Sequence, residues 1–307
     1  MYFTIVIPVY CSENTLEELY NNINQNLSKK KYEFDLIFVD DCSLDNSWNI
    51  IKSLCFKDKR VKGISLNKNY GQHNALFCGI KSAKGDFIVT MDDDLQHPPK
   101  EIVKLLDEIN KGFDVVYGVP KKFNHSFIRN SLSKFIKYII RISMGFNHAQ
   151  NINSFRIFKK KLMEHFNGIQ NPKINIDVLL SWSTQNFTSI NVEHDKRKKG
   201  YSGYTTTKLI NHTLTMMTNF SSVPLKIASY IGFFFSILGF GLLLFVLIKS
   251  LFFSNPVPGF PFLASIISIF SGVQLLTLGL FGEYLSNIHT KSISKPMYIV
   301  KEFVNKD

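Results

Sequence analysis

Two long uncharged stretches most constrain what this chain can fold into. Ile227–Ile248 carries no charged side chain, and neither does Phe262–Gly282. As a helix rising 1.5 Å per residue, the first would run roughly 33 Å, enough to cross a bilayer core. Between them, Ser254-Asn255-Pro256-Val257-Pro258-Gly259-Phe260-Pro261 gathers residues that end helices and form turns. The pattern predicts a transmembrane hairpin over 227–285, with spans near 227–250 and 262–284. The alternative is a buried helix pair in a soluble protein. Soluble core helices are rarely so long and so free of charge.

Basic residues orient this hairpin. Lys208 and Lys226 precede the first stretch, and Lys291, Lys295 and Lys301 follow the second. The turn has neither Lys nor Arg, and Lys249 at the far end of the first span is long enough to snorkel. Positive charge favours the cytoplasmic side. The expected location is therefore the cytoplasmic (inner) membrane, with two passes, both termini cytoplasmic and 286–307 as a tail. Glu283, at the cytoplasmic end of the second span, is either a partner for a basic group or simply solvated there. Cys11, Cys42, Cys55 and Cys78 show no paired spacing. That fits a reducing compartment and argues against a zinc site or a disulfide frame. Met1–Tyr10 does not have the form of a secretory signal.

Two further segments have amphipathic helical spacing. In Phe127–Met144, Ile128, Leu132, Phe135, Ile136, Ile139 and Ile140 share a face beside Lys134, Lys137 and Arg141. This helix lies either in the headgroup layer or against the sheet. Thr207–Phe220 falls in a juxtamembrane amphipathic helix assigned to 205–226.

Residues 1–204 read differently. Short apolar runs at 3–10, 34–41, 61–66, 86–91 and 114–117 alternate with helical patterns at 16–23, 45–54, 71–83 and 98–110. This alternation predicts an α/β domain with a mainly parallel sheet. Ligands of such sheets bind beyond the carboxyl ends of the strands. Pro8 and Tyr10, Asp40 and Asp41, and Asp92-Asp93-Asp94 all fall at such ends. There is no GxGxxG after the first strand and no GxxxxGK[ST], which argues against dinucleotide and P-loop chemistry. The formal charge of +12 favours nucleic acid, anionic membrane or phosphorylated ligands, without choosing among them.

Carboxylates repel a diphosphate unless a cation lies between, and Mg²⁺ or Mn²⁺ prefers such oxygen ligands. On an extended segment alternate side chains point the same way. Asp92 and Asp94 can then share a metal while Asp93 faces elsewhere.

Several segments, in this order and spacing, carry a resemblance to a known family. They are Ile5–Tyr10 with Glu13-Asn14, Val39–Asp45, Asn69–Ala75, Met91–Pro99, Ser154-Phe155-Arg156, Arg197–Tyr204, the hairpin and Gly282-Glu283-Tyr284. The chain resembles the family 2 glycosyltransferases of GT-A fold. More narrowly, it resembles the polyprenyl-phosphate transferases: dolichol-phosphate mannose synthase, the bactoprenol glucosyltransferases and the undecaprenyl-phosphate formamidoarabinose transferases. The resemblance covers nearly the whole chain. It implies a nucleotide-sugar site of Pro8, Tyr10, Glu13, Asp41, Asp92 and Asp93, with Asp92, Asp94 and Gln96 toward metal. It implies phosphate-facing Arg129, Arg156 and Arg197, and catalytic roles for Asp92, Asp94 and Arg197. Without it, Arg197 reads more simply as part of a basic juxtamembrane run, Lys196–Lys199.

The implied activity is inverting, metal-dependent transfer of a sugar from a nucleotide sugar to polyprenyl phosphate at the cytoplasmic face. The implied donor is a UDP-sugar, with GDP- and dTDP-sugars as alternatives. Nucleic acid is not an expected partner; the membrane is, and self-association of the hairpin is the remaining expectation. Ser154 stands where close relatives often carry Asp, and Gly203 where mannose synthases often carry Lys. These departures leave the proton acceptor and the sugar open. The alternatives are transfer to a lipid-linked glycan and a non-catalytic membrane-bound binding protein. A processive synthase is disfavoured, since there is no QxxRW-like segment.

Overall fold

The computed structural model describes residues 1–28, 32–120, 152–166, 168, 174–195, 223–252, 259–293 and 295–305. The chain forms two units, 1–203 with 294–307, and 204–293. The helices expected over Phe127–Met144 and Thr207–Phe220 lie outside the described residues.

In the first unit, β1 (Tyr2–Val9), β2 (Glu33–Asp40), β3 (Val61–Leu66) and β4 (Phe87–Thr90) alternate with α1 (Leu16–Ser28), α2 (Ser47–Lys57) and α3 (Gln72–Ser82). A 3₁₀ turn at Pro99–Glu101 leads into α4 (Ile102–Ile109), followed by β5 (Val115–Pro120) and β6 (Arg156–Lys159). Then come α5 (Lys161–Glu164), α6 (Ile176–Ser183) and β7 (Phe187–Val192), and finally β8 (Val300–Val304). The strands form one sheet in the order β7-β5-β6-β4-β1-β2-β3-β8.

Both faces of this sheet are covered, and β1 shows why. Its side chains alternate between two cores. Phe3, Ile5, Ile7 and Val9 meet the apolar faces of α1, α2 and α4, while Val6 joins α3 and α6 on the other side. α1 earns its place by helical spacing: Leu16, Leu19, Tyr20, Ile23 and Leu27 are its buried residues. β1 also runs through Pro8 rather than stopping there. Val6 and Tyr2 bond toward the β4 side, so Pro8 faces that side too, beyond the last β1–β4 pair at Val6 and Thr90. Its missing N–H therefore breaks no ladder bond.

The sheet is mixed, with parallel pairings in the majority. β1–β2, β1–β4, β2–β3 and β5–β7 are parallel. β4–β6, β5–β6 and β3–β8 are antiparallel. The antiparallel pairings come from β6, which inserts between β4 and β5, and from β8 at the far edge. The end of the segment expected to be a tail is thus a strand of the sheet. Asn305 Nδ2 fixes it further, donating to the carbonyls of Cys55 at 2.7 Å and Val61 at 2.9 Å.

The second unit contains α7 (Val223–Phe252) and α8 (Phe260–Ser292). Within α7, Val223–Leu242 has a mean hydropathy of 1.7 and is long and apolar enough to cross a membrane. Among the described residues it is the one segment to meet that measure. The two helices touch: Phe235 and Phe270 meet edge to face at 6.2 Å. Gly239 permits this approach, since a Cβ there would lie 2.8 Å from the Phe270 ring. Residues 253–258, between the helices, lie outside the described set.

Candidate active site

The loops leaving β1, β2 and β4 are tied to one another by hydrogen bonds. After β1, Cys11 N–H donates to Ser43 Oγ at 2.9 Å and Ser12 N–H to Ser47 Oγ at 2.9 Å. Glu13 N–H donates to Asp45 at 3.1 Å, and Glu13 accepts from Asn46 N–H at 2.9 Å. The first loop is thereby bound to the start of α2. Three residues in these loops hold left-handed backbone without being glycine: Cys11 (φ 54°), Cys42 (φ 61°) and Leu95 (φ 61°). Strained backbone of this kind collects where side chains must be aimed.

Asp41, directly after β2, is almost fully buried. Its two oxygens accept from Tyr70 N–H and Gly71 N–H, both at 2.7 Å, just before α3 begins. Burial raises its pKa, and these two amides pull it back. Gly71 has φ 89°, a conformation that side chains resist. Asp40 beside it accepts from Ser43 N–H and Ser65 Oγ.

Adjacent members of the acidic triplet contact different neighbours. Asp92 accepts from Gln72 Nε2 at 2.7 Å and from Ser154 Oγ at 2.6 Å. Asp93 accepts from Ser12 Oγ at 2.5 Å and Tyr10 N–H at 3.3 Å. Asp94 accepts from Gln96 N–H at 3.1 Å. Asp93 thus closes onto the β1 loop. Burial pushes its pKa up to about 6, and Asp92 and Asp94 add to the rise against the hydrogen bonds from Ser12 and Tyr10. Tyr10 and Glu13 are exposed, whereas Pro8 is buried within β1.

The same loop meets the segment leaving β7. Gln96 carbonyl accepts from Asp195 N–H at 2.9 Å. His97 stacks on Phe155 at 4.9 Å and meets His194 edge-on at 4.9 Å. Burial first, and His194 second, lower the His97 pKa to about 4, so its ring is neutral at ordinary pH.

Arg156 is placed differently from the phosphate-facing position expected of it. Its side chain is 1% exposed and forms an ion pair with Asp177. Its Nε donates to Thr90 Oγ1 at 3.1 Å, and Tyr117 Oη donates to the same Asp177 oxygen at 3.0 Å. A buried pair of this kind is held by mutual compensation of charge. Arg129 and Arg197 lie outside the described residues. An open cavity of about 400 Å³ lined by Phe77, Ile80, Lys81, Lys160, Met163 and Glu164 includes none of the expected site residues.

Of the expected residues, the structure therefore brings Tyr10, Glu13 and Asp93 to neighbouring loops, with Asp92, Asp94 and Gln96 on the same β4 loop. Ser12, Gln72 and Ser154 are contact residues that sequence reasoning did not select. Their only advance signal was position, each lying in or beside a segment carrying the family resemblance.

Loops at the carboxyl ends of parallel strands are where open α/β sheets bind their ligands, and here those loops carry Asp41 and Asp92–Asp94. Comparison with known proteins narrows this. The Glycosyl transferase family 2 profile matches residues 4–166. A Shewanella sediminis protein named undecaprenyl-phosphate 4-deoxy-4-formamido-L-arabinose transferase is 33% identical over 99% of this chain and 92% of its own. A bactoprenol glucosyl transferase of Shigella phage SfV is 30% identical over 98% of each chain. A glycosyltransferase of Bacillus subtilis, YkcC, is 30% identical over 98% of this chain and 93% of its own. The chain belongs to glycosyl transferase family 2, and it is a glycosyltransferase with a GT-A-like α/β fold and a mixed sheet.

Proposed function

We propose that this protein transfers a sugar from a nucleotide sugar, with a UDP-sugar favoured, to a polyprenyl phosphate at the cytoplasmic face of the membrane. One observation carries the acceptor. Relatives named for undecaprenyl phosphate and bactoprenol match through 98–99% of the chain, so the likeness includes α7 and α8 as well as the sheet. A water-soluble acceptor gives no reason for so long an apolar appendage.

The acceptor phosphate has a second pKa of about 6 and is largely ionised at neutral pH. Its oxygen attacks C1 of the sugar, the C1–oxygen bond to the diphosphate breaks, and the nucleoside diphosphate leaves with the electron pair. Attack from the opposite side inverts the anomeric centre. No strong base is required, since the nucleophile is already charged. Among the described residues, no three His, Cys, Asp or Glu side chains converge on one point. The donor chemistry still fits a hard ion that brings its own phosphate oxygens, for which one or two carboxylates suffice. Asp92 and Asp94 would hold Mg²⁺ or Mn²⁺, with Gln96 beside them. When bound, that ion neutralises charge gathering on the leaving diphosphate. Asp41 and Tyr10 would line the nucleotide side. Arg197 would meet phosphate; Asp195, two residues earlier, is bonded to Gln96.

Membranes carrying the protein, given labelled UDP-, GDP- and dTDP-sugars with polyprenyl phosphate and Mn²⁺, should form labelled lipid. Asp94→Asn should lower that yield by about 100-fold or more at unchanged protein level. No transfer from any donor would overturn the reading.

A further inference from the structure

The Asp92 carboxylate is held from two sides. Gln72 at the start of α3 donates to Oδ1 at 2.7 Å, and Ser154 donates to Oδ2 at 2.6 Å. Both donors are neutral, so they fix direction without cancelling charge. Ser154 is itself fixed by its backbone, whose carbonyl accepts from Thr90 Oγ1 at 2.6 Å. Thr90 in turn accepts from Arg156 Nε at 3.1 Å, and Arg156 is paired with Asp177. Thr90 and Arg156 are opposed on β4 and β6, and Gly118 N–H on β5 donates to the Phe155 carbonyl at 2.9 Å. The hydroxyl of Ser154 therefore projects from backbone that is hydrogen-bonded to β4 and β5.

We propose that Ser154 and Gln72 are positioning residues for Asp92, holding its carboxylate in the one orientation that receives the metal–diphosphate group. This rests on the reading of Asp92 as a metal ligand given above. Partners behind a ligand set its direction and basicity, and losing one weakens metal affinity by about 10- to 100-fold. The frame uses the Ser154 backbone alone, so removing the hydroxyl leaves the frame standing. Threonine at 154 keeps the donor.

The test uses the purified full-length protein in detergent with UDP present. The electron paramagnetic resonance signal of free Mn²⁺, read against the same Mn²⁺ and UDP without protein, reports binding without turnover. Ser154→Ala and Gln72→Leu should each weaken Mn²⁺ binding by about tenfold or more. Ser154→Thr should return it to within a few-fold of wild type. All three should keep the wild-type thermal midpoint in the absence of metal, which a purely structural role would not preserve. Wild-type Mn²⁺ affinity in Ser154→Ala and Gln72→Leu would overturn the positioning role and leave Asp92 as a ligand. A wild-type protein that binds no Mn²⁺ with UDP would overturn the ligand reading as well, so the two failures are distinct.

Discussion

Arg156 on β6 and Asp177 on α6 sit 21 positions apart in sequence and meet in the interior. Each is tolerable there only because of the other. Replacing Asp177 with Ala leaves a guanidinium without its counter-charge in the interior. The expected cost is about 3–5 kcal/mol in urea unfolding. Arg156→Met with Asp177→Leu removes both charges and should be markedly less destabilised than the sum of the single variants. Trp48 and Trp182 both belong to the sheet-bearing unit, so tryptophan fluorescence follows that unit specifically. Additive costs would show that the pair is not coupled. A sequence reader sees Arg156 at the end of Ser154-Phe155-Arg156, a segment that carries the family resemblance, and assigns it to phosphate, because nothing local reveals Asp177. The acidic triplet was legible for the opposite reason. It follows a buried apolar run directly, so its place at the end of β4 needs no knowledge of any distant partner.

The elements that could be read in advance are those with a strong period and two covered faces. β1 to β4 and α1 to α4 each carry enough apolar residues at spacing two or 3.6 to announce themselves. β6 and β8 do not. Arg156-Ile157-Phe158-Lys159 has two apolar residues between charges, and Val300-Lys301-Glu302-Phe303-Val304 is mostly half-exposed. Their pairing is decided by neighbours distant in sequence, so the mixed sheet was hidden. β8 nevertheless protects an edge. It covers β3, and Trp48 Nε1 donates to Glu302 at 2.9 Å across the boundary. An uncovered strand edge offers unpaired amides and carbonyls to other chains. Deleting 299–307 should lower the thermal midpoint of the sheet-bearing unit by on the order of 5–10 °C and increase aggregation on heating. Retention of the full midpoint would show that the strand adds nothing.

β8 also settles a question of parity for the whole molecule. β7 precedes α7 and α8 in sequence, and β8 follows them, yet both are strands of one sheet. A hydrogen-bonded sheet cannot be divided by a bilayer. The chain between its members must therefore cross the membrane an even number of times, or not at all. If Val223–Leu242 crosses, a return crossing is required, and 260–292 supplies the only other long helix among the described residues between β7 and β8. This argument is independent of the lysines that oriented the hairpin from sequence, and it constrains the number of crossings, not their direction. It makes a direct prediction for thiol labelling. Cys11 is exposed in the sheet-bearing unit. In sealed right-side-out vesicles, a membrane-impermeant maleimide should leave Cys11 unlabelled, and in inverted vesicles it should label it. Asn255→Cys, in a background with Cys11 and the half-buried Cys42 changed to Ser, should show the reverse. A thiol introduced at Lys301 should follow Cys11. Labelling of positions 11 and 255 from the same side would mean that α7 does not cross, and the hairpin would then lie along one face of the membrane.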